Sequence, residues 1–241
     1  MEKEIYLKTA ELEAVHWWFI GRRNIIDSVL KTLSLPKRVK ILEIGCGTGG
    51  NFPIWGEYGK IFGVELNEEA RTYASARNMA TIVAGSLPQN IPFAPSTFDL
   101  IALIDVLEHV DEDELSLIKV FQLLKPGGFM LLTVPAFQFL WSRHDERHHH
   151  KKRYGRQRLL QLSRKAGFQV ILLSYINTFF FPVIAAWRIV NRWFKLIDND
   201  DLALPAPWLN SLLARVFSFE RCLLPKTSLP FGVSLLLVAR R

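Results

Sequence analysis

The short, mostly apolar run Val39–Ile44 stops at four glycines within six residues: Gly45, Gly47, Gly49 and Gly50. A strand that ends this way turns sharply into the next element. Its last backbone N–H groups lie open to a ligand that any Cβ would hold off. Comparable apolar runs recur at Lys60–Glu65, Thr81–Ala84, Phe98–Ile104, Phe129–Val134, Phe168–Tyr175 and Ser234–Ala239. Helical patterns separate them, from about Gly49, from Asn67, and over about 111–124 and 156–166. Strands alternating with helices predict an α/β fold, a Rossmann-like doubly wound sheet of seven strands. Such sheets bind ligands beyond the carboxyl ends of their strands.

Two segments fall outside the alternation. Residues 1–35 read as an N-terminal helical lid, helical over about 5–33, with Trp17, Trp18 and Phe19 clustered before Gly21-Arg22-Arg23. Residues 176–232 hold two helical stretches, about 179–197 and 207–223, split by Asp198-Asn199-Asp200-Asp201 and by Pro205 and Pro207. They read as a helical cap inserted before the last strand, 233–241. The core, 36–175, completes a single domain, as 241 residues allow.

The first and second halves differ in charge. Residues 1–142 carry a balance of −4 and residues 143–241 a balance of +11. A cationic second half predicts an anionic partner, whether phosphate-bearing, lipid or nucleic acid; a solvated basic face is the plain alternative. Cys46 and Cys222 form no CxxC pair, which points to a reducing compartment and no metal cluster. The N-terminus lacks an apolar signal region, and no run approaches the roughly 18 apolar residues of a membrane span. A cytoplasmic protein is expected.

Gly45, Gly47 and Gly50 satisfy GxGxxG, so a dinucleotide site must be weighed. Glu43 turns the reading away from it, because a carboxylate two residues before the first glycine would repel a pyrophosphate. Placed there, it suits an amino or ammonium group instead, though a purely structural carboxylate would look the same. Glu65 ends the second strand 20 residues beyond Gly45, where a carboxylate accepts ribose hydroxyls. Downstream stand Ile104-Asp105-Val106-Leu107-Glu108-His109-Val110 and Leu124-Lys125-Pro126-Gly127-Gly128-Phe129.

Together these blocks, over about 39–135, resemble the class I S-adenosyl-L-methionine-dependent methyltransferases, in particular the small-molecule methyltransferases of the type 11/12 group. The resemblance implies S-adenosyl-L-methionine as cofactor and S-adenosyl-L-homocysteine as product. It assigns Glu43, Gly45, Cys46, Gly47 and Gly49 to the methionine part, and Asp105 to a place beneath the methionyl end. Glu65 would bind the ribose, Leu66 would flank the adenine, and Ser86 and Leu87 would line its edge. Ser86 departs from the Asp that many relatives carry there. The usual antiparallel seventh strand suits Ser234–Ala239.

Acceptor chemistry is expected in Trp141–Tyr154, which holds four of the six histidines. A subgroup of these methyltransferases carries an Asp, a few residues, then His-basic-basic-Arg-Tyr; Asp145, His150, Arg153 and Tyr154 match it. The subgroup also opens with His16-Trp17-Trp18-Phe19 and a Gly21-Arg22-Arg23 pair, so Trp18 is expected to close over the cofactor. Asp145 or a nearby histidine, His144 or His150, is the expected base, and Arg153 the anion-binding group. The alternative is that His150–Tyr154 only stitches the loop to the sheet. His144 and His148 lack an HExxH-type partner, so no metal site is expected, and His109 reads as capping or packing.

Phe179–Trp187 followed by Arg188, Arg192 and Lys195 resembles an interfacial amphipathic helix, which would bring 179–197 to a membrane surface and present a lipid-linked acceptor. The competing reading is a cap packed over a pocket. The expected reaction is methyl transfer by in-line displacement to a small-molecule or lipid- or glycan-linked, anionic acceptor. A nucleic-acid or protein methyltransferase, and a non-catalytic S-adenosylmethionine-binding scaffold, are the alternatives. Against nucleic acid, the fourth strand ends in Ile104-Asp105-Val106-Leu107 rather than an Asn/Asp-Pro-Pro-Tyr/Phe motif.

Overall fold

A computed structural model describes residues 3–194 and 203–241, with side chains from Leu7 to Asn191 and from residue 203 onward. Seven strands form one sheet: β1 (Val39–Ile44), β2 (Gly59–Glu65), β3 (Ala80–Ala84), β4 (Phe98–Ile104), β5 (Leu124–Pro135), β6 (Gln169–Ile176) and β7 (Ser234–Arg240). Their order is β3-β2-β1-β4-β5-β7-β6. Strands β1 to β5 pair in parallel, and β7 runs antiparallel between β5 and β6. The sheet is therefore the Rossmann-like one that the alternation predicts.

Period-two alternation divides the core. Ile41, Leu100, Leu131 and Leu236 face one side, with helix α2 (Trp17–Leu30), α3 (Phe52–Gly56) and α9 (Pro207–Ser218). Leu42, Ile101, Leu132 and Leu237 face the other, with α5 (Asp113–Leu123) and α7 (Arg156–Lys165). Parallel strands covered on both faces need this continuous burial.

Local signals set the helix starts. Asn67 accepts from the Ala70 N–H at 2.9 Å and caps α4 (Glu68–Ala76), whose first turn carries Glu68 and Glu69. Ser142 and Asp145 form a capping box on the short α6 (Arg143–Arg147). The expected helix after the glycines shortens to α3. The opening helix breaks at residues 13–16 into α1 (Lys3–Leu12) and α2, where the His16 side chain accepts from the Trp18 N–H. The break brings Glu13 and His16 to bear on the sheet edge; an unbroken helix could not.

The lid and the insertion are joined. Asn210 of α9 accepts from the Trp17 N–H at 2.9 Å and donates to the Val15 carbonyl at 2.8 Å. Asn24 donates to Ser218 at 2.9 Å, and the rings of Trp17 and Trp18 pack on Phe217. Buried Glu220 accepts from the backbone N–H groups of Asn177 and Thr178, at 2.8 and 2.6 Å, and ties the end of the insertion to its start. Between them runs α8 (Phe181–Phe194). The Arg192 side chain, Lys195 and Asp198-Asn199-Asp200-Asp201 lie outside the described residues. Among the described residues no helix is long and apolar enough to cross a membrane.

Gly21 meets the Phe217 ring so closely that a Cβ would overlap it. Gly21→Ala should cost about 1–3 kcal/mol through overpacking. The expected readout is a lower urea midpoint with an unchanged slope. An unchanged midpoint would show that Phe217 yields freely and that the α2–α9 contact is loose.

Candidate functional site

The carboxyl ends of β1 and β4 are where the chain changes direction across the sheet, and a cavity of about 410 Å³ opens there. Gly45, at φ +68°, starts the loop; a Cβ on it would stand 2.6 Å from Val106 Cγ2. Only glycine holds this backbone at no cost. The Gly45 and Cys46 N–H groups donate to the Val64 carbonyl at 2.7 and 3.1 Å. Gly47, also at positive φ, donates to Glu65 Oε2 at 2.9 Å, while Oε1 accepts from the Asn67 N–H at 2.9 Å. Each Glu65 oxygen thus keeps acceptor capacity for a further hydroxyl.

Glu43 sits one layer behind the loop, not in the cavity wall, which differs from the expected contact with a ligand's ammonium group. It is fully buried and accepts from Asn51 Nδ2 at 2.7 Å and Trp55 Nε1 at 2.9 Å. Burial pushes its carboxyl up to about 7, against those two hydrogen bonds. The physical reason is strand polarity: the side chain of Glu43 points to the α3 face, where the helix supplies both donors.

From the lid, buried Glu13 accepts from Thr48 Oγ1 at 2.8 Å and pairs with Arg77, which also donates to the Thr48 carbonyl at 2.7 Å. Gly50 leaves the space that the Glu13 carboxylate fills. Arg22 of α2 pairs with Asp105 Oδ2, and Thr133 Oγ1 donates to Asp105 Oδ1 at 2.8 Å. Asp105 itself stands at φ +55° just after β4. Neither Glu13 nor Arg22 was legible as a site residue, since each acts across more than thirty residues of chain.

Trp18, Gly45, Cys46, Gly47 and Asp105 line the cavity. Gly49, Glu65, Leu66, Ser86 and Leu87 lie outside its wall; Leu66 is exposed, and Ser86 exchanges backbone hydrogen bonds with Asn90 at 3.0 and 2.9 Å. Opposite the glycine loop, His144, His148, His150, Arg153, Glu108 and His109 form the far end. Ile184, Trp187 and Arg188 of α8 complete it, with Arg188 donating to the Leu140 carbonyl at 2.7 Å.

Asp145 is corrected from base to anchor. Its carboxylate is completely buried and does not line the cavity. Arg153 donates to it twice, at 2.8 and 2.9 Å, the Ser142 N–H donates at 2.8 Å, and His150 Nδ1 lies 2.9 Å away. Burial alone would raise its pKa, but the His150 and Arg153 bonds and the Arg153 charge outweigh this and hold it well below the usual range. A carboxylate so held is a poor proton acceptor. Arg153 reaches the cavity but spends its donors on Asp145 and, at 3.1 Å, the Ala136 carbonyl. Tyr154 is a stitch: fully buried, its hydroxyl lies 3.2 Å from the Leu107 carbonyl and 3.1 Å from Asp113.

His144 and His109 line the cavity with their protonated forms disfavoured. Burial, with neighbouring His148, holds His144 well below its ordinary value; burial, with His150, lowers His109 to about 4. Both imidazoles are neutral at neutral pH.

A family model described as a methyltransferase domain matches residues 18–173. The malonyl-[acyl-carrier protein] O-methyltransferase of Enterobacter lignolyticus is 23% identical over 145 residues, covering 57% of this chain and 58% of that protein. The ubiquinone/menaquinone biosynthesis C-methyltransferase UbiE of Cronobacter sakazakii is 30% identical over 121 residues, covering 44% of this chain and 47% of the other. The chain therefore matches about half the length of these curated relatives. The structure of Haemonchus contortus phosphoethanolamine N-methyltransferase 2 in complex with S-adenosyl-L-methionine superposes with a TM-score of 0.60. That match has 18% identity and covers 91% of this chain and 52% of the other, so it speaks to the fold.

Glu43 yields a pH prediction. Its carboxyl is raised from 4.5 to about 7, so the folded state binds the extra proton and the stabilisation is complete below pH 4.5 and lost as pH rises through 7. The stability of the wild type relative to Glu43→Gln should fall by roughly 2 kcal/mol between pH 5 and 8. Urea unfolding at several pH values measures it; a difference that does not change with pH would mean Glu43 is ionised throughout.

Proposed function

The chain belongs to the methyltransferase-domain family, and from that premise we propose that it transfers the methyl group of S-adenosyl-L-methionine to a hydrophobic or lipid-linked small molecule. One observation carries the reading: a single cavity runs from the glycine loop to the histidine cluster, so a donor and an acceptor can meet in it. The residues present fit the donor. At Gly47 no Cβ stands between the loop backbone and a ligand, and Glu65, held behind Gly47, keeps acceptor capacity for a diol. Asp105 and Arg22 offer opposite charges to an amino-acid zwitterion, and the buried Arg22 Nε has no hydrogen-bond partner among the described residues.

When bound, S-adenosyl-L-methionine supplies an electrophilic methyl on a positively charged sulfur, and S-adenosyl-L-homocysteine is the product. The protein's part is alignment and exclusion of water. Trp17 and Trp18 on α2, and Ile184 and Trp187 on α8, wall the cavity with apolar surface. His144 lines the acceptor end of the cavity, and Asp145 holds His150 in one orientation through Nδ1.

Helix α8 favours a hydrophobic acceptor. It gives Ile184, Trp187 and Arg188 to the cavity while Val183, Ile189 and Val190 face outward, Val183 at 70% exposure. An apolar helix that both walls the site and faces solvent fits a protein working at a membrane surface, with the basic second half drawn to anionic headgroups.

Calorimetric titration tests the donor. The wild type should bind S-adenosyl-L-homocysteine at one equivalent, and Gly45→Ala should weaken it at least tenfold because of the positive φ and the Val106 contact. No binding by the wild type would overturn the reading. For the acceptor, the protein should sediment with anionic vesicles at low salt, and Val183→Asp should abolish this. Sedimentation that Val183→Asp leaves intact, or none at all, removes α8 from the membrane.

A further inference from the structure

Glu108 is the odd charge of the cavity. The other carboxylates of its wall, and Asp145 behind it, have their own cations: Glu13 has Arg77, Asp105 has Arg22, and Asp145 has Arg153. Glu108 is completely buried, lines the cavity, and neither of its oxygens has a hydrogen-bond partner among the described residues. A buried carboxylate without a donor is costly unless something else compensates it.

The surroundings say what that is. Ligand atoms of Glu108, His109 and His150 lie within 4.8 Å of one another. The two imidazoles meet edge to face with centroids 4.8 Å apart. Each ring is fixed from behind. His150 Nδ1 lies 2.9 Å from Asp145 Oδ1, which leaves Nε2 as its remaining nitrogen, and His109 hydrogen-bonds the His149 backbone. A carboxylate behind an imidazole is the arrangement that orients metal-ligating histidines.

We propose that Glu108, His109 and His150 form a binding site for one divalent first-row transition cation, with its open coordination positions facing the cavity. The expectation of no metal site rested on the two isolated cysteines and on the spacing of the loop histidines. The folded chain instead joins two neighbours after β4 with one histidine 41 residues further on. One carboxylate and two imidazoles suit the manganese-to-zinc series rather than magnesium or calcium. Bonds of about 2.0–2.2 Å place neighbouring ligand atoms about 3–4 Å apart, so closure from the observed span needs only side-chain rotation. Positions left open would take an oxygen of the acceptor, a hydroxyl or a phosphate, opposite the glycine loop. This goes beyond methyl transfer and does not depend on it: a catalytically silent chain with these side chains would bind the cation too.

The test uses Co²⁺ alone, titrated into the tag-free full chain and followed by visible absorption and calorimetry. Wild type should bind one equivalent. Glu108→Gln, nearly the same shape, and His150→Ala should each weaken binding at least tenfold. Asp145→Asn should weaken it about 10–100-fold as a positioning residue, read by affinity and by a changed Co²⁺ spectrum. Cys222→Ser, at an exposed thiol that does not line the cavity, should leave affinity unchanged. Binding of S-adenosyl-L-homocysteine, measured without metal, reports folding and separates failure here from failure of the methyl-transfer reading. No stoichiometric Co²⁺ binding, or binding that survives Glu108→Gln, would overturn the proposal.

Discussion

The ion pair between Arg22 and Asp105 joins the two halves of the site. Asp105 stands where β4 ends at the sheet's change of direction, and Arg22 comes from a helix that precedes the sheet in the chain. Partly buried, the pair gains from a lower dielectric than bulk water, and losing one member would strand the other. Because Arg22 must reach Asp105, α2 lies across the mouth of β1 and β4, and Trp17 and Trp18 become cavity walls. Glu13 adds a second tie, to the glycine loop through Thr48 and Arg77. The N-terminal segment is thus a structural part of the site and not an appendage over it.

A second layer of contacts makes the insertion follow the lid. With α2 held by Asp105, α9 packs on α2 through Phe217 and Asn210, and Glu220 secures the returning chain beside β6. That leaves α8 between the histidine loop and solvent, bonded to the loop through Arg188. One helix consequently shapes the acceptor end and the outer apolar surface together.

Buried carboxylates divide the labour among themselves. Asp145 is ionised and saturated with donors, so it orders the loop and His150. Glu43 has two neutral donors and no cation, so burial dominates and its carboxyl rises. Glu108 has no hydrogen-bond donor or ion-pair cation of its own among the described residues, and burial and Asp105 push its carboxyl up. Residue type is the same or nearly so; partners set the chemistry.

What could be read along the chain is what depends on near neighbours. The strands, their alternation with helices, the glycine turn and Glu65 at the end of β2 follow from periodicity and local backbone freedom, and they stand as read within a few residues. Asp145, His150, Arg153 and Tyr154 were visible as a group, but their roles were not. Whether Asp145 faces a substrate or Arg153 depends on how an eight-residue loop closes onto the sheet. The pairing of Arg22 with Asp105, that of Glu13 with Thr48, and the meeting of Glu108 with His150 were invisible, because each joins elements far apart in sequence. By itself the sequence determined the sheet and the loop that marks its binding edge, since those are local and periodic. Only the tertiary structure decided which buried charges are paired and which one is left over, since that depends on what long-range packing brings within reach.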